Sequence, residues 1–361
     1  MRLTGFDLYR YSLPLRKPLA LKGATLRRRE GLLLRLSGDE GSEGWGETAP
    51  LPGFSEESLD QAIVQLRRLA GSLIGRQVAD DWTDRDGVFG RELEGVAPAP
   101  SVRFGLESAV WNLYAASSGK TLPELLTPQP GATVPVNGLL SGTPEVVLEE
   151  ARHLGNGGYQ AVKLKVGALA VAEDVRLVRA LGEELGDAIS LRLDANRAWG
   201  YEEAAEFVRG AARFEYIEEP LAEPARMPDL VREFGVPVAL DESLVGIEPE
   251  ELEEHGYARA VVLKPTLLGG VSRTLRMAGR ALRLGMRPVL SSAYESGVGM
   301  AALVALAAGI GARPVPAGLD TYRALAQDVL VTPLGLPAPS VDVGETAIAS
   351  RSVDVSKLQE L

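Results

Sequence analysis

The sequence of 361 residues contains no cysteine. This absence excludes disulfides, thiolate nucleophiles, cysteine-bound zinc and iron–sulfur clusters together. Histidine is almost absent as well, because the chain has only His153 and His255, each beside a predicted helix end. So few imidazoles argue against a Ser-His-Asp triad and against a multi-histidine metal site. A metal ion in this protein would therefore need oxygen ligands.

Positive charge and long apolar runs are scarce too. The chain carries 38 lysines and arginines against 49 acidic residues, a net charge of −11, which argues against nucleic acid or an anionic membrane as the partner. The longest apolar run, Val298–Ala312, is too short to cross a bilayer and predicts a buried helix. The first residues, "MRLTGFDLYRYSLPL", alternate like a strand and lack a signal-peptide core. We expect a cytoplasmic protein that acts on a small molecule, and the sequence leaves its oligomeric state open.

The first 100 residues predict a small α+β unit. Three strand-like stretches, Leu3–Ser12, Gly31–Leu36 and Glu43–Glu47, precede a helix with a predicted N-cap at Ser55. The polar stretch "LRKPLALKGATLRRR" between the first two strands is expected to be a long loop, in which Arg27–Arg29 form a solvated strand entrance.

Strands and helices alternate from residue 101 to residue 322. The apolar strand cores are "VPVNGLL", "AVKLKV", "ISLRLDAN", "YIEEP", "VPVALDES", "AVVLKPT", "RPVLSSA" and, more weakly, "PAGLDTY". Eight such units favour the α/β class and a modified (β/α)8 TIM-like barrel. An open doubly wound sheet is the rival, but no G-x-G-x-x-G follows the first strand. The tail, residues 323–361, is expected to return to residues 1–100 and complete an α+β capping domain.

Ionisable residues recur near the C-terminal ends of five consecutive predicted strands. Active sites of β/α barrels lie at that face, so these side chains are expected to share one cavity. A single charge at a strand end is usually a cap or a solvated group, but burying five in series without partners would be too costly. The residues concerned are Lys163, Lys165, Asp194, Glu218, Glu219, Asp241, Glu242 and Lys264.

Three of these carboxylates predict a metal site. Asp194, Glu218 and Asp241 are each one strand–helix unit apart, which places them on neighbouring strands. Hard oxygen ligands with open positions suit Mg²⁺, and Mn²⁺ would also fit. A structural salt-bridge network between lysines and carboxylates is the alternative, although it does not explain why the charges are restricted to one end of the barrel.

The lysines predict acid–base chemistry beside that metal. Lys163 and Lys165 share one face of a strand, and both burial and a neighbouring cation favour the neutral form of a lysine. A neutral Lys165 could remove the proton next to a metal-bound carboxylate. Lys264, on the other side of the carboxylates, would then stabilise the enediolate. The pattern therefore indicates proton abstraction adjacent to a carboxylate.

Read in chain order, K-x-K, D-x-N, I-E-E-P, D-E-S and K-P-T resemble the enolase superfamily, in which a lysine or histidine base works with Mg²⁺. The late strands carry no histidine, which favours the muconate-lactonizing branch over the mandelate-racemase branch. Within that branch "EGWGETAPLPGFSEES", "LRLDANRAW", "VLKPTLLGG", "SSAYESGVG" and "GLDTY" resemble the o-succinylbenzoate synthase family, and the similarity runs nearly end to end.

The resemblance implies dehydration of 2-succinyl-6-hydroxy-2,4-cyclohexadiene-1-carboxylate to 2-succinylbenzoate, a step of menaquinone or phylloquinone biosynthesis. It implies that Lys165 is the base and also protonates the departing hydroxyl in a syn elimination, with Lys264 stabilising the enediolate. It makes Asp194, Glu218 and Asp241 the Mg²⁺ ligands. The resemblance also assigns residues to substrate binding or to support of the site, namely Lys163, Arg192, Asn196, Glu219, Glu242, Ser291 and Gly318. For Ser291, a role as a strand-end turn residue is an equally good explanation.

Two other functions remain open. An N-succinylamino acid racemase or a dipeptide epimerase of the same superfamily would use both lysines as alternating acid and base. Dipeptide epimerases would be expected to carry an Asp-x-Asp pair in the last strand, where this chain has Asp320 alone in "GLDTY". A non-catalytic binding barrel is disfavoured by the complete set of carboxylates and lysines.

Overall fold

A computed structural model describes residues 1–21, 23–83, 89, 93, 96–311 and 314–361. The N-terminal region forms an antiparallel sheet of β1 (Leu3–Leu21), β2 (Ala24–Gly38) and β3 (Glu43–Thr48), in which β2 is central. The expected long loop is wrong, because β1 and β2 continue as a hairpin in which Leu19 pairs with Leu26.

The hairpin continues because its apolar side chains find partners elsewhere in the fold. Leu21 and Leu26 pack with Leu51 and Leu267, far apart in the sequence, and no local pattern reveals those partners. The solvated setting expected for Arg27–Arg29 is likewise wrong for Arg29, whose residue is 1% exposed, although Arg27 and Arg28 are exposed.

Two helices pack on this sheet. The first, α1 (Leu59–Leu73), starts at Ser58 rather than at the predicted Ser55, because the side chains of Ser58 and Gln61 form a capping box. The second, α2 (Pro100–Ser117), lies across β3 at very short range. A Cβ on Gly46 of β3 would be 1.9 Å from the carbonyl oxygen of Gly105 in α2, so glycine is required for this contact.

The segment after α2 leads into the barrel. A short helix, α3 (Leu122–Leu126), is followed by β4 (Thr133–Pro135), which pairs antiparallel with β12 (Ser340–Asp342). The predicted strand "VPVNGLL" is therefore divided, and its second half is β5 (Asn137–Leu140), the first barrel strand.

Seven parallel strands form the barrel sheet in chain order. After β5 they are β6 (Ala161–Lys165), β7 (Ser190–Asp194), β8 (Tyr216–Glu218), β9 (Val238–Leu240), β10 (Ala260–Leu263) and β11 (Arg287–Leu290). In the predicted eighth strand, Ala317 bridges to Val136 and Gly318 bridges to Ser291, both in parallel, which joins the two edges of the sheet.

Helices cover the outside of the barrel between these strands. They are α4 (Pro144–Asn156), α5 (Val171–Leu185), α6 (Tyr201–Gly210), α7 (Met227–Phe234), α8 (Pro265–Leu268), α9 (Val271–Arg283) and α10 (Gly297–Gly309). The last of them is the helix expected from the apolar run Val298–Ala312 and is buried almost throughout, while Ala312 lies outside the described residues. Among the described residues, none of the helices combines the length and the apolarity that crossing a membrane requires.

The C-terminal tail runs back to the first sheet. After α11 (Val343–Ala349), the short strand β13 (Gln359–Glu360) pairs antiparallel with β1, with Glu360 opposite Tyr9. One hydrophobic core contains Tyr11 and Trp45 of the N-terminal sheet together with residues of the barrel strands. The predicted fold class, an α/β barrel with an α+β cap, is confirmed.

Candidate active site

The predicted charged residues meet at the C-terminal ends of the barrel strands. Lys165 of β6 is in register with Asp194 of β7, and Asp194 is in register with Glu218 of β8. Asp241 follows β9 directly, and Lys264 follows β10. The parallel register thus sets these side chains next to one another along one edge of the barrel.

Lys163 binds two of the three predicted metal ligands. Its Nζ lies 2.8 Å from Asp194 Oδ2 and 2.5 Å from Glu218 Oε2, and its side chain is 13% exposed. Burial on its own would lower the pKa of Lys163, but the two carboxylates hold that pKa well above its usual range. The same ammonium, although burial opposes it, lowers the pKa of Asp194.

Lys264 binds the third predicted ligand. Its Nζ donates to Asp241 Oδ2 at 2.5 Å. Burial favours the neutral amine, yet Asp241 outweighs it and raises the pKa of Lys264. Both ammonium groups are therefore held charged by the carboxylates beside them.

Negative charge is nevertheless crowded in this part of the barrel. Burial, together with the charges of Asp194 and Asp241, raises the pKa of Glu218 to about 8 in spite of Lys163. Burial and the same two aspartates also raise the pKa of Glu242, whose Oε2 is buried and has no hydrogen-bond partner among the described residues. Such a set of crowded oxygen donors suits a hard divalent cation.

The donor set fits the chemistry of Mg²⁺, but the oxygens are engaged by lysines. Lys163 lies between Asp194 and Glu218, and Lys264 holds Asp241. Within the described residues, no three acidic or histidine side chains are gathered so that they could hold an ion without rearrangement. An ion that took the same oxygens would displace the two ammonium groups from them.

Three of the predicted supporting residues lie beside this row. The Glu219 carboxylate accepts bonds from the backbone N–H of Asp241 at 3.0 Å and of Ser243 at 2.8 Å, and so fixes the start of the segment after β9. Asn196 donates its side-chain amide to Glu242 at 3.2 Å and its backbone N–H to Asp194 at 3.1 Å.

Lys165 differs from Lys163 although both belong to β6. Lys165 is exposed at the end of the strand, contrary to the burial expected for both lysines. The expected role of Lys163 as a free cation beside Lys165 changes, since two carboxylates neutralise it.

The structure does not bring Arg192 to the row of charges. Its guanidinium donates to Glu215 at 2.8 Å, to Asn137 at 3.1 Å and to the carbonyl of Pro316 at 2.6 Å, all at the N-terminal ends of their strands. Ser291 and Gly318 are neighbours, because a Cβ on Gly318 would be 2.5 Å from Ser291 Oγ.

A cavity of about 200 Å³ opens beside Lys264 and Asp241. Its wall includes Gly53 and Phe54 of the cap, which sequence reasoning did not assign to the site, and Arg197, whose Nε donates to Glu219 at 2.9 Å. Positive φ angles at residues other than glycine cluster here, a form of strain common at functional sites. These residues are Asn196, Arg197, Glu219 and Tyr294, with φ of 42°, 61°, 39° and 63°.

Two protein families match the chain in succession. Residues 3–113 match the family described as MenC, N-terminal domain, and residues 146–346 match the family described as Enolase C-terminal domain-like. The o-succinylbenzoate synthase of Pasteurella multocida is 32% identical over 358 residues, which cover 97% of this chain and 98% of that protein.

Solved structures share the fold at lower identity. The muconate lactonizing enzyme of Pseudomonas fluorescens, complexed with muconolactone, superposes with a TM-score of 0.82 at 26% identity, covering 95% of this chain and 94% of that one. The dipeptide epimerase of Enterococcus faecalis, complexed with Mg and the dipeptide L-Leu-L-Tyr, gives a TM-score of 0.84 at 20% identity, covering 99% of this chain and 100% of that one.

Proposed function

The chain belongs to the o-succinylbenzoate synthase family of the enolase superfamily, and we propose which of its barrel residues perform the reaction. The activity is that of a lyase of the menaquinone pathway, which removes water from 2-succinyl-6-hydroxy-2,4-cyclohexadiene-1-carboxylate to give 2-succinylbenzoate. One observation carries the assignment of residues: Lys165 and Lys264 stand on opposite sides of a buried row of carboxylates.

Lys165 is the base and then the acid. It removes the proton from the carbon that bears the substrate carboxylate, and the electron pair of that C–H bond becomes part of an enediolate. The electrons then form the new ring double bond as the C–O bond to the hydroxyl breaks, and Lys165 returns its proton so that water leaves. Its exposed position at the end of β6 supports this role, since it can meet a substrate on one face for both transfers.

Lys264 stabilises the enediolate from the other side. It is a buried ammonium whose charge Asp241 secures, so it offers a fixed positive charge to the developing negative charge. Lys163 fixes the positions of Asp194 and Glu218 instead of touching the substrate.

Asp194, Glu218 and Asp241 would hold the metal ion, Mg²⁺ or alternatively Mn²⁺. When bound, such an ion acts as a Lewis acid that stabilises negative charge on the substrate carboxylate. Glu219, Glu242 and Asn196 support these ligands through the bonds already described. The crowding that raises the pKa of Glu218 supports the proposal, because a divalent cation would relieve it.

Ser291 and Gly318 form the far wall of the substrate site in this proposal, and Arg192 supports the barrel interior beneath it. For Ser291 and Gly318 the support is their mutual contact at the strand end, where the Ser291 hydroxyl lies 3.5 Å from the Gly318 carbonyl. For Arg192 the support is its bond to the carbonyl of Pro316, two residues before Gly318.

We also propose that residues 1–100 and 323–361 form the capping domain and residues 101–322 the catalytic barrel. The pairing of β13 with β1 supports this division. A cytoplasmic location, a small carboxylate substrate and no nucleic-acid or membrane partner belong to the same proposal, and the net charge of −11 supports them.

The proposal is tested by assaying purified protein with the cyclohexadiene substrate before and after exhaustive dialysis against EDTA. Dehydration should need Mg²⁺ or Mn²⁺ and should return when either ion is added back. An unchanged rate after dialysis would disprove the metal site. N-succinylamino acids and dipeptides, assayed side by side, should be turned over far more slowly, and faster racemisation than dehydration would favour the racemase alternative.

A further inference from the structure

Arg29 is a buried arginine that takes no part in the proposed reaction. It lies on β2, in a row of three arginines whose other two members are exposed. Its guanidinium donates to five backbone carbonyl oxygens. They belong to Glu30 at 2.9 Å, Ala49 at 2.5 Å, Pro50 at 2.9 Å, Ala293 at 3.4 Å and Tyr294 at 3.0 Å.

Four of these acceptors belong to two loops that meet at Arg29. Ala49 and Pro50 begin the cap loop that reaches Phe54, and Phe54 lines the cavity beside Lys264. Ala293 and Tyr294 belong to the segment between β11 and α10. A planar guanidinium offers five donors in a fixed arrangement, so one side chain sets the relative position of both loops.

Tyr294 needs such support. Its φ is +63°, a left-handed conformation that is unfavourable for an aromatic residue. Its ring packs on the apolar cluster of Leu51, Leu267 and Ala293, and Leu267 also lines the cavity. The charge of Lys264 reaches the phenol, since it counteracts the burial that raises the pKa of Tyr294. The strained residue therefore packs on the apolar cluster that supplies Leu267 to the cavity wall.

We propose that Arg29 is a positioning residue, which holds Tyr294 in its left-handed conformation against the cap loop and so shapes the wall of the cavity beside Lys264. The inference rests on the proposed function, because it takes this cavity as the substrate site. In this proposal Arg29 does not contact the reacting atoms. Lys165 and Lys264 make those contacts.

The first test compares Arg29→Met with Arg28→Met. Methionine keeps much of the volume of Arg29 but removes all of its donors, whereas Arg28 is exposed and bonds Ser12 at the surface. We expect Arg29→Met to raise KM at least tenfold and to lower kcat less than threefold, with Arg28→Met unchanged and Arg29→Lys intermediate. A KM within twofold of the wild type would overturn the proposal.

The second test asks whether Arg29 acts through Tyr294. Tyr294→Gly removes the ring and accepts a positive φ without strain, so it should raise KM by itself. Adding Arg29→Met to Tyr294→Gly should then raise KM less than threefold further, because the two residues form one unit. If the two effects multiply instead, Arg29 does not work through Tyr294 and the proposal fails.

Hydrogen exchange supplies a readout that does not depend on turnover. In Arg29→Met, the backbone amides of residues 49–54 and 291–296 should lose protection together, while those of the barrel strands keep it. Unchanged protection in both loops would contradict the proposal even if the kinetics change.

If Arg29→Met does not fold, Arg29→Lys takes its place. Failure of both variants to fold would show a purely stabilising role of Arg29 and overturn the inference. A wild-type protein without dehydratase activity would instead disprove the proposed function and leave the exchange result interpretable.

Discussion

Lys163 and Lys165 are two residues apart on β6, yet they have different surroundings. Period-two alternation predicts that both point to one face of the strand, but it does not predict how far each side chain extends or which partner it meets. Lys163 is held between Asp194 and Glu218, whereas Lys165 is exposed at the end of β6. The direction of the Arg192 side chain could not be predicted from alternation either. Arg192 shares a face with Asp194 but extends to the opposite end of the barrel.

Replacing Lys165 by alanine should abolish turnover without unfolding the protein. We expect kcat to fall on the order of 10³-fold, since general acid–base catalysis typically contributes about 10² to 10⁴. The melting temperature should stay within about 1 °C of the wild type, because the exposed side chain contributes little packing. Lys120→Ala, at another exposed lysine, is the control. A kcat within tenfold of the wild type would remove Lys165 as the base.

Replacing Lys163 by methionine should lower the stability of the metal-free protein, whereas replacing Lys165 should not. It leaves two buried carboxylates without their ammonium, which should lower the free energy of unfolding by about 3 kcal/mol. Urea denaturation in EDTA measures the loss, and Lys165→Met serves as the matched control with little change. Added Mg²⁺ should restore part of the stability of Lys163→Met, because the ion would neutralise the same carboxylates. Equal stability of the two variants would contradict the pairing.

Elements formed by local patterns were predicted well, and elements formed by distant partners were not. The barrel strands β6 to β11 stand out as apolar runs between helical patterns, and all lie where the sequence predicts them. The extended β1–β2 hairpin was missed because Leu21 and Leu26 pack against Leu51, Leu267 and Ala293, which come from other parts of the chain. The position of Phe54 in the cavity wall and the burial of Arg29 were not predicted either, because both depend on residues distant in the sequence.

The contact between β3 and α2 predicts opposite effects for two glycines. Gly46→Ala would place a methyl group 1.9 Å from the Gly105 carbonyl oxygen, so α2 must shift and stability should fall by at least about 2 kcal/mol. Gly71→Ala, on the exposed face of α1 with no atom near the added methyl, should raise stability by about 0.5 to 1 kcal/mol. Urea denaturation of both variants measures the difference. A Gly46→Ala protein as stable as the wild type would show that the helix and sheet are not in such close contact.

At the scale of the whole molecule, cap and barrel share one interior. The Glu47 carboxylate of β3 accepts the Ser296 N–H at 2.8 Å and the Gly299 N–H at 2.7 Å at the start of α10, and Tyr11 and Trp45 of the cap belong to the barrel core. These contacts, with those of Arg29, leave little of the cap independent of the barrel. Sequence patterns distinguish the two regions but do not reveal that their cores are continuous.

Cap and barrel should therefore unfold together. In the variant Trp199→Phe, fluorescence reports on Trp45, Trp82 and Trp111, which lie in the cap and in α2, while far-ultraviolet circular dichroism reports mainly on the barrel helices. The urea midpoints from the two probes should coincide, because coincident transitions indicate one cooperative unit. The wild type controls for any loss of stability caused by the substitution. A fluorescence midpoint at clearly lower urea would show that the cap unfolds independently.

The pairing of β13 with β1 has a consequence for synthesis of the chain. The outer edge of β1 emerges from the ribosome early, but its partner β13 follows only after the entire barrel has been translated. At about 5 to 20 residues per second, that edge is exposed for roughly 20 to 70 seconds, during which an unpaired strand can associate with another chain. The nascent polypeptide therefore carries an unpaired edge at Tyr9 and Arg10, which is open to association until the distal strand arrives.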